Sequence, residues 1–151
     1  MRAKAPNLRG HVLALMVLLV VQFLLGMWIN LFVVLPGPAA ALAPAGAWAR
    51  LGWASAAGPW ALQAHIVLGL VLGAMGIGHL VRVWRGTPRV GLGWSLAGLV
   101  GVAAASVAGA LFLSTAAAAW SMAMAAGFAV ALVAYGMAMA MPGHPAVGGA
   151  S

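Results

Sequence analysis

Two histidines, His65 and His79, stand fourteen residues apart in an apolar, glycine-rich stretch of the chain. At about 100° per residue, a helix returns to within about 40° of its starting direction over that interval, so both imidazoles would share one face. They would lie roughly 21 Å apart along the helix axis. Three glycines fall between them within the same arc: Gly69, Gly73 and Gly76. Imidazoles ligate metals and carry protons, so this face is the first candidate for chemistry.

The stretch AHIVLGLVLGAMGIGHL, residues 64–80, resembles a transmembrane helix of the cytochrome b family. In that family a helix carries two histidines at about this spacing, each ligating one of two haems in opposite leaflets, with glycines leaving room for the porphyrins. The resemblance implies haem b bound by His65 and His79 and packed against the three glycines between them. The family supplies matching histidines from a second helix, and no other apolar stretch of this chain contains two.

Single ligands from other segments could complete such sites. His11 opens the first apolar stretch and would lie at the depth of His79, near arginines that could meet the haem propionates. For His65, the soft ligands at comparable depth are Met27, Met122 and Met124. Both His/His and His/Met pairs hold haem iron. The same histidines are also compatible with a structural or interfacial role, or with handling a metal or a proton.

The chain that has to position these residues has the composition of an integral membrane protein. Of its 151 residues, 66% are hydrophobic and 5% charged, whereas a soluble domain carries roughly 25% charged residues. Four apolar stretches reach the roughly 20 residues that a helix needs to cross a bilayer: 10–35, 60–84, 90–113 and 116–141. Lipid offers no partners to backbone groups, so each stretch should be helical. We therefore expect an all-α bundle of four transmembrane helices, followed by a flexible tail over 142–151.

Basic residues predict the orientation of this bundle. They cluster before the first stretch and around the connection between the second and third: Arg2, Lys4, Arg9, Arg82, Arg85 and Arg89. The segment 36–59 between the first two stretches holds only Arg50. Lys and Arg concentrate in cytoplasmic loops, so both termini are expected to be cytoplasmic. Segment 36–59 is rich in Pro, Ala and Gly and is expected to be an irregular loop with its tryptophans among the lipid headgroups.

Small residues recur at every fourth position in the third stretch and again in the fourth. The third contains Gly93, Ala97, Gly101, Ala105 and Gly109, and the fourth contains Ala119, Ala123, Gly127 and Ala131. Small residues at this spacing let the backbones of two membrane helices approach closely. These positions are therefore expected to form the contact between helices, although the abundance of Ala and Gly produces some such series by chance.

The residue types that are absent exclude most catalytic machinery. The chain contains no Asp, Glu or Cys, which excludes carboxylate acid–base pairs, Ser-His-Asp triads and thiol nucleophiles. Nucleic-acid binding is not expected, because the charge of +7 lies at the ends of apolar stretches. Thioethers select Cu(I), and five methionines lie in the fourth stretch: Met122, Met124, Met137, Met139 and Met141. Neighbours two positions apart point to different sides of a helix, which disfavours a copper site.

Three segments resemble a group of small uncharacterised four-helix proteins of bacterial inner membranes: QFLLGMWINLFVVLP, AHIVLG and SMAMAAGFAVALVAYGM. In that group the third helix ends in an Asn-Gly pair followed by acidic residues, where this chain reads Ala108-Gly109-Ala110-Leu111. The resemblance implies the architecture and the location but no activity.

Two functions follow from the sequence. The first is a small non-catalytic accessory subunit that packs against other subunits of a larger membrane complex, such as an electron-transfer assembly. Its partners would be the lipid bilayer and those subunits. Gln22, well inside the first stretch, is expected to bond a neighbouring helix. The alternative is a b-type cytochrome that passes electrons across the bilayer through His65, His79 and His11.

Overall fold

A computed structural model describes residues 8–35, 47–86 and 89–140. Within these residues the fold is all-α, with five helices: α1 Leu8–Phe32, α2 Ala47–Ala56, α3 Trp60–Gly86, α4 Arg89–Thr115 and α5 Ala118–Ala140. All except α2 are long and apolar enough to cross a membrane, which confirms the expected class of fold. Their ends differ from the expected ones by at most a helical turn. The expected tail, 142–151, lies outside the described residues.

The four long helices run alternately up and down around a shared core. α1 packs against α3 and α5, and α4 packs against the same two helices, so α1 and α4 lie diagonally opposite. Phe23 of α1 stacks on Phe128 of α5, with ring centroids 4.6 Å apart, while Met16 lies beside Gly136, so α1 and α5 are antiparallel. Leu8, Gly86 and Ala140 consequently mark one end of the bundle, called the terminal end below, and α2 lies at the other.

Each long helix contributes a narrow stripe of buried residues to the core. On α1 it consists of Val12, Leu15 and Leu19, spaced three and four apart as one helical face requires. The other helices contribute Leu72, Val102, Ala131 and Tyr135. The outward faces are equally apolar: Leu24 is 60% exposed whereas Leu15 is 0% exposed. Because both faces of each helix are apolar, burial rather than residue type distinguishes the inside of this bundle.

Helix α2 corrects the expectation of an irregular loop over 36–59. The prolines of that segment lie outside Ala47–Ala56, whose sequence AWARLGWASA is rich in alanine, the strongest helix former. Ala54 of α2 is completely buried in a second apolar cluster with Ile29 of α1 and Leu62 of α3. Averaging the composition over the whole segment hides this short helix, which closes the α2 end of the bundle.

The connection between α4 and α5 is a two-residue turn, Ala116 and Ala117. Ala116 has φ 53°, in the left-handed region, and its N–H donates to the carbonyl of Phe112 at 2.8 Å. The N–H of Ala117 donates to Oγ1 of Thr115 at 3.3 Å. A residue with a Cβ pays roughly 1–2 kcal/mol for this conformation, which here reverses the chain within two residues.

Candidate functional site

His11 joins α1 to α3 at the terminal end through both of its ring nitrogens. Nη1 of Arg82 lies 2.9 Å from His11 Nδ1. A guanidinium group can only donate, so Nδ1 accepts and the imidazole proton is assigned to Nε2. Nε2 then donates to the carbonyl oxygen of Met75 at 3.2 Å. His11 is thereby committed to holding the two helices together and orienting Arg82.

His79 lies beside His11, but its side chain has no hydrogen bond to any residue that the structure describes. It is 2% exposed, and its ring lies 5.7 Å from that of His11 with the planes 20° apart. The ring of Tyr135 approaches edge-on at 6.0 Å. Within the described part of the chain, neither nitrogen of His79 nor the Tyr135 hydroxyl has a hydrogen-bond partner. Each unpaired buried polar group lowers the stability of the fold by about 1–3 kcal/mol. The cluster of His79 and Tyr135 contains three such atoms.

Tyr135 occupies a seat made by two glycines. A Cβ at Gly98 of α4 would lie 2.7 Å from Cζ of the Tyr135 ring. A Cβ at Gly76 of α3 would lie 2.9 Å from its hydroxyl oxygen. Tyr135 is completely buried and links α5 to its neighbour α4 and, across the core, to α3. Sequence reasoning assigns Tyr135 no role, and the available signal is that it is the one tyrosine in the chain.

His65 lies nearer the α2 end of the same α1–α3 contact. Nε2 of Gln22 donates to the main-chain oxygen of His65 at 3.0 Å, so Gln22 bonds a neighbouring helix as predicted. The His65 ring packs on Gly26, where a Cβ would lie 3.0 Å from Cε1 of the imidazole. Gly69 leaves room for the Gln22 amide, 3.3 Å from its Cβ position. Both histidines of α3 therefore contact α1, at separate heights.

The glycines between the two histidines do not form a cradle for a porphyrin in this structure. The Gln22 amide fills the space at Gly69, and the Tyr135 hydroxyl fills the space at Gly76. Gly73 has no atom within 4 Å of its Cβ position. A haem on this face would have to displace both side chains. At Gly69 and Gly76 the expected packing against haem does not fit the geometry described, whereas Gly73 is open toward the described residues.

The ligand set expected for haem does not fit either. An iron ligand must offer a nitrogen lone pair, but His11 has its Nδ1 lone pair on Arg82 and its Nε2 protonated. Of the three methionines proposed for His65, Met27 and Met122 are exposed, on α1 and α5, and the Met124 sulfur lies near the Cβ position of Gly109 on α4. Of the expected ligands, His79 has both nitrogens buried and unpaired among the described residues, and His65 has its Nδ1 buried and unpaired.

The described residues also do not bring together a set of side chains that could bind a metal ion. Among the described residues, no three His, Cys, Asp or Glu side chains come together. Met122, Met137 and Met139 are exposed on α5, and Met141 lies outside the described residues. Three of the five methionines in the fourth apolar stretch therefore lie on the outer surface of α5.

The small residues spaced four apart along α4 contact α5 over only part of the series. A Cβ at Gly101 would lie 2.7 Å from the carbonyl oxygen of Gly127, and a Cβ at Gly127 would lie 2.8 Å from the backbone nitrogen of Ala105. Gly109 lies at the edge of the contact, 3.4 Å from the Met124 sulfur at its Cβ position. The α4 and α5 backbones thus touch near the middle of the two helices.

Gly93, at the start of the same series, is not a contact position. It is exposed, and no atom of the described residues lies within 4 Å of its Cβ position. A step of four residues rotates about 40° around a helix, so Gly93 lies about 80° from the direction of Gly101. Ala97, one step closer, is partly buried and lines a shallow groove between α4 and α5. The strict four-residue spacing therefore overstates the length of the contact.

Arg50 has a structural role that its position in the sequence does not reveal. It is buried on α2, and Nη1 donates to the carbonyl oxygen of Leu113 at 3.0 Å. The last carbonyls of a helix lack partners within the helix and carry partial negative charge, so a cation there is stabilising. Arg50 thus anchors α2 to the end of α4.

Comparisons with protein-family models, curated proteins and solved structures find no match to this chain. Its function is therefore inferred from the bundle: an apolar outer surface, polar side chains used between or within helices, and cations concentrated at the terminal end.

Proposed function

We propose that the protein is a small, non-catalytic, multi-pass protein of a bacterial inner membrane that packs against other subunits of a larger complex, such as an electron-transfer assembly. The observation that carries this proposal is the apolar outer surface of all four long helices. Large exposed side chains occur on each of them, including Leu24, Leu31, Leu70, Ile77, Val100, Val107, Val130 and Val133. Soluble monomers rarely expose contiguous apolar patches beyond a few hundred Å², whereas lipid and partner helices cover such surfaces.

The use of polar side chains supports a non-catalytic role. Ser95 donates to the carbonyl of Gly91 at 2.8 Å, and Ser106 donates to that of Val102 at 2.9 Å. These hydroxyls are occupied by their own helix. The sequence supplies neither a carboxylate nor a thiol side chain for acid–base or nucleophilic chemistry. What remains is a surface suited to packing.

The distribution of arginines supports cytoplasmic termini. Arg9, Arg82 and Arg85 are exposed at the terminal end, where Leu8 and Ala140 also lie. Arg50, at the opposite end, is buried and holds the end of α4. The exposed cations of the described residues are thus on one side of the proposed bilayer, the pattern of a cytoplasmic face.

The outer surface of the described residues includes a groove suited to a partner helix. The groove has a volume of about 320 Å³ and lies between α4 and α5, lined by Trp94, Ala97, Ala129, Val130, Val133 and Ala134. Three of these six residues are alanines. Small residues let a neighbouring helix approach closely, which is how membrane helices associate without a hydrophobic driving force. We propose this groove as the side that meets another subunit.

Site-specific photo-crosslinking in native membranes tests the proposal. A photoreactive residue replacing Val133, in the groove, is expected to crosslink to another membrane protein. The matched control replaces Val67 on α3, which is similarly exposed (59% against 62%) but lies away from the groove. We expect the control to crosslink to lipid. Lipid adducts alone from both positions, together with a monomer on native electrophoresis, would contradict a role as a subunit.

The alternative function, a b-type cytochrome, is favoured by one observation. His79 is buried with both nitrogens unpaired and lies 5.7 Å from His11. The hydrogen bonds of His11 and the filled glycine surface oppose it. We therefore expect the protein, purified from its native membrane, to show no Soret band and no reduced α-band. A Soret band that disappears in His79→Leu but persists in the control His144→Leu would establish the alternative instead.

A further inference from the structure

We infer that the end of α3 binds the phosphate of an anionic phospholipid, with Arg82 and Arg85 contacting the headgroup and His11 positioning Arg82. This inference rests on the proposed location in a bilayer. It goes further by naming a ligand class and the residues that recognise it.

The chain offers its arginines no side-chain anion, so an anion that pairs with them comes from outside the chain. The sequence contains seven Lys and Arg residues and no Asp or Glu, so no side-chain carboxylate can neutralise an arginine. Arg82 and Arg85 are exposed in the last turns of α3. At the level of lipid headgroups the available anions are phosphates, and each nearby Lys or Arg gains about 1 kcal/mol from an anionic membrane surface.

The two arginines are placed for a single ligand. They are three residues apart on α3, a spacing that puts two side chains on the same face in successive turns. Arg82 is held by its hydrogen bond to His11 Nδ1, and His11 is held in turn by the Met75 carbonyl. A guanidinium group has five N–H donors, so Arg82 can donate to His11 and still present others to a phosphate. Fixing the side chain in advance reduces the entropy lost on binding.

Neighbouring side chains favour a phospholipid over free phosphate. Trp84 is exposed about 100° around the helix from Arg85, and exposed tryptophans at helix ends lie at the level of lipid headgroups. Ile77, two turns before Trp84 and on the same face as it, is exposed and apolar, which suits an acyl chain leading away from Arg85. Free phosphate would gain nothing from these residues. One fixed arginine, a second arginine one turn further on, an interfacial tryptophan and an apolar flank together match an anionic phospholipid.

Native mass spectrometry of the full-length protein in detergent tests this inference, with phosphatidylglycerol and phosphatidylcholine as probes. The wild-type protein should retain phosphatidylglycerol preferentially. Arg82→Gln is expected to weaken that binding about fivefold, the equivalent of about 1 kcal/mol for one arginine at an anionic headgroup. The double variant Arg82→Gln/Arg85→Gln should weaken it more than tenfold. His11→Phe, which keeps every arginine, should produce part of the Arg82 effect.

Arg9→Gln is the matched control, because it removes one exposed arginine at the same end but from α1. Its effect should be clearly smaller than that of Arg82→Gln. Equal binding of the two lipids, equal effects of the two arginine variants, or displacement of phosphatidylglycerol by excess inorganic phosphate would each overturn the inference. Flotation with pure phosphatidylcholine vesicles tests the proposed membrane location separately from the preference for an anionic lipid. A protein that floats without preferring the anionic lipid contradicts only this inference, whereas one that fails to float contradicts the proposed function.

Discussion

Gly101→Ala is expected to lower the free energy of unfolding by about 3 kcal/mol, toward the upper end of the range for adding a methyl group to a packed core. The new Cβ would lie 2.7 Å from both the carbonyl oxygen of Gly127 and the backbone nitrogen of Ala131. These are backbone atoms, and no change of rotamer can move them. The α4 and α5 helices would have to separate along their contact, so the loss should extend beyond the single clash.

Equilibrium unfolding in mixed micelles, followed by circular dichroism, measures this loss. Gly93→Ala is the matched control on the same helix, since its Cβ would meet no atom within 4 Å. Alanine has a higher helix propensity than glycine, so the control should be unchanged or more stable by up to about 1 kcal/mol. Equal losses in the two variants would show that Gly101 does not mark the α4–α5 contact.

Gly98→Ala is expected to lower the free energy of unfolding by about 2 kcal/mol, for a different reason. Here the new Cβ would meet the ring of Tyr135, at 2.7 Å from Cζ, and that side chain is completely buried. The rigid ring has to leave its seat between α4 and α3. Because the obstacle is a side chain, the damage should be reversible by shortening that side chain, which is not so for Gly101.

A double-mutant cycle with Tyr135→Leu tests this difference. Tyr135→Leu alone should also destabilise the bundle, because it leaves a cavity, although it removes a hydroxyl that has no partner among the described residues. Combined with Gly98→Ala, the total loss should fall short of the sum by about 1 kcal/mol or more. The same cycle with Gly101→Ala in place of Gly98→Ala should give a smaller coupling. Strict additivity at Gly98 would contradict the seat assigned to Tyr135.

The number and limits of the long helices could be predicted because they depend on local composition. Twenty or so apolar residues without charge suffice to identify such a helix, whatever its neighbours are. The inward face could not be predicted. Leu15 and Leu24 are the same residue on the same helix, yet one is in the core and the other faces outward. In an apolar chain, the rotation of each helix is decided by packing against the others, which leaves no polar pattern in the sequence.

In the candidate site too, the depth of a residue along its helix could be predicted, whereas its contacts with other helices could not. Depth along the helices predicts that His11 and His79 are neighbours, and the structure places their rings 5.7 Å apart. That Arg82 takes the His11 lone pair, and that Tyr135 fills the space at Gly76, depends on contacts between segments far apart in sequence. The sequence shows which residues could do chemistry, whereas only their three-dimensional neighbours show that most of them hold helices together.

The turn at Ala116 and Ala117 has a consequence for how the chain would enter a bilayer. A two-residue connection gives α4 and α5 no freedom to be placed independently, and their backbones touch at Gly101 and Gly127. Little chain entropy is lost when two helices joined by so short a turn meet, so in a bilayer α4 and α5 would pair as one helical hairpin and pack as a unit against α1 and α3, which precede them in the chain. Lengthening this turn would slow that pairing before it altered any contact in the finished bundle.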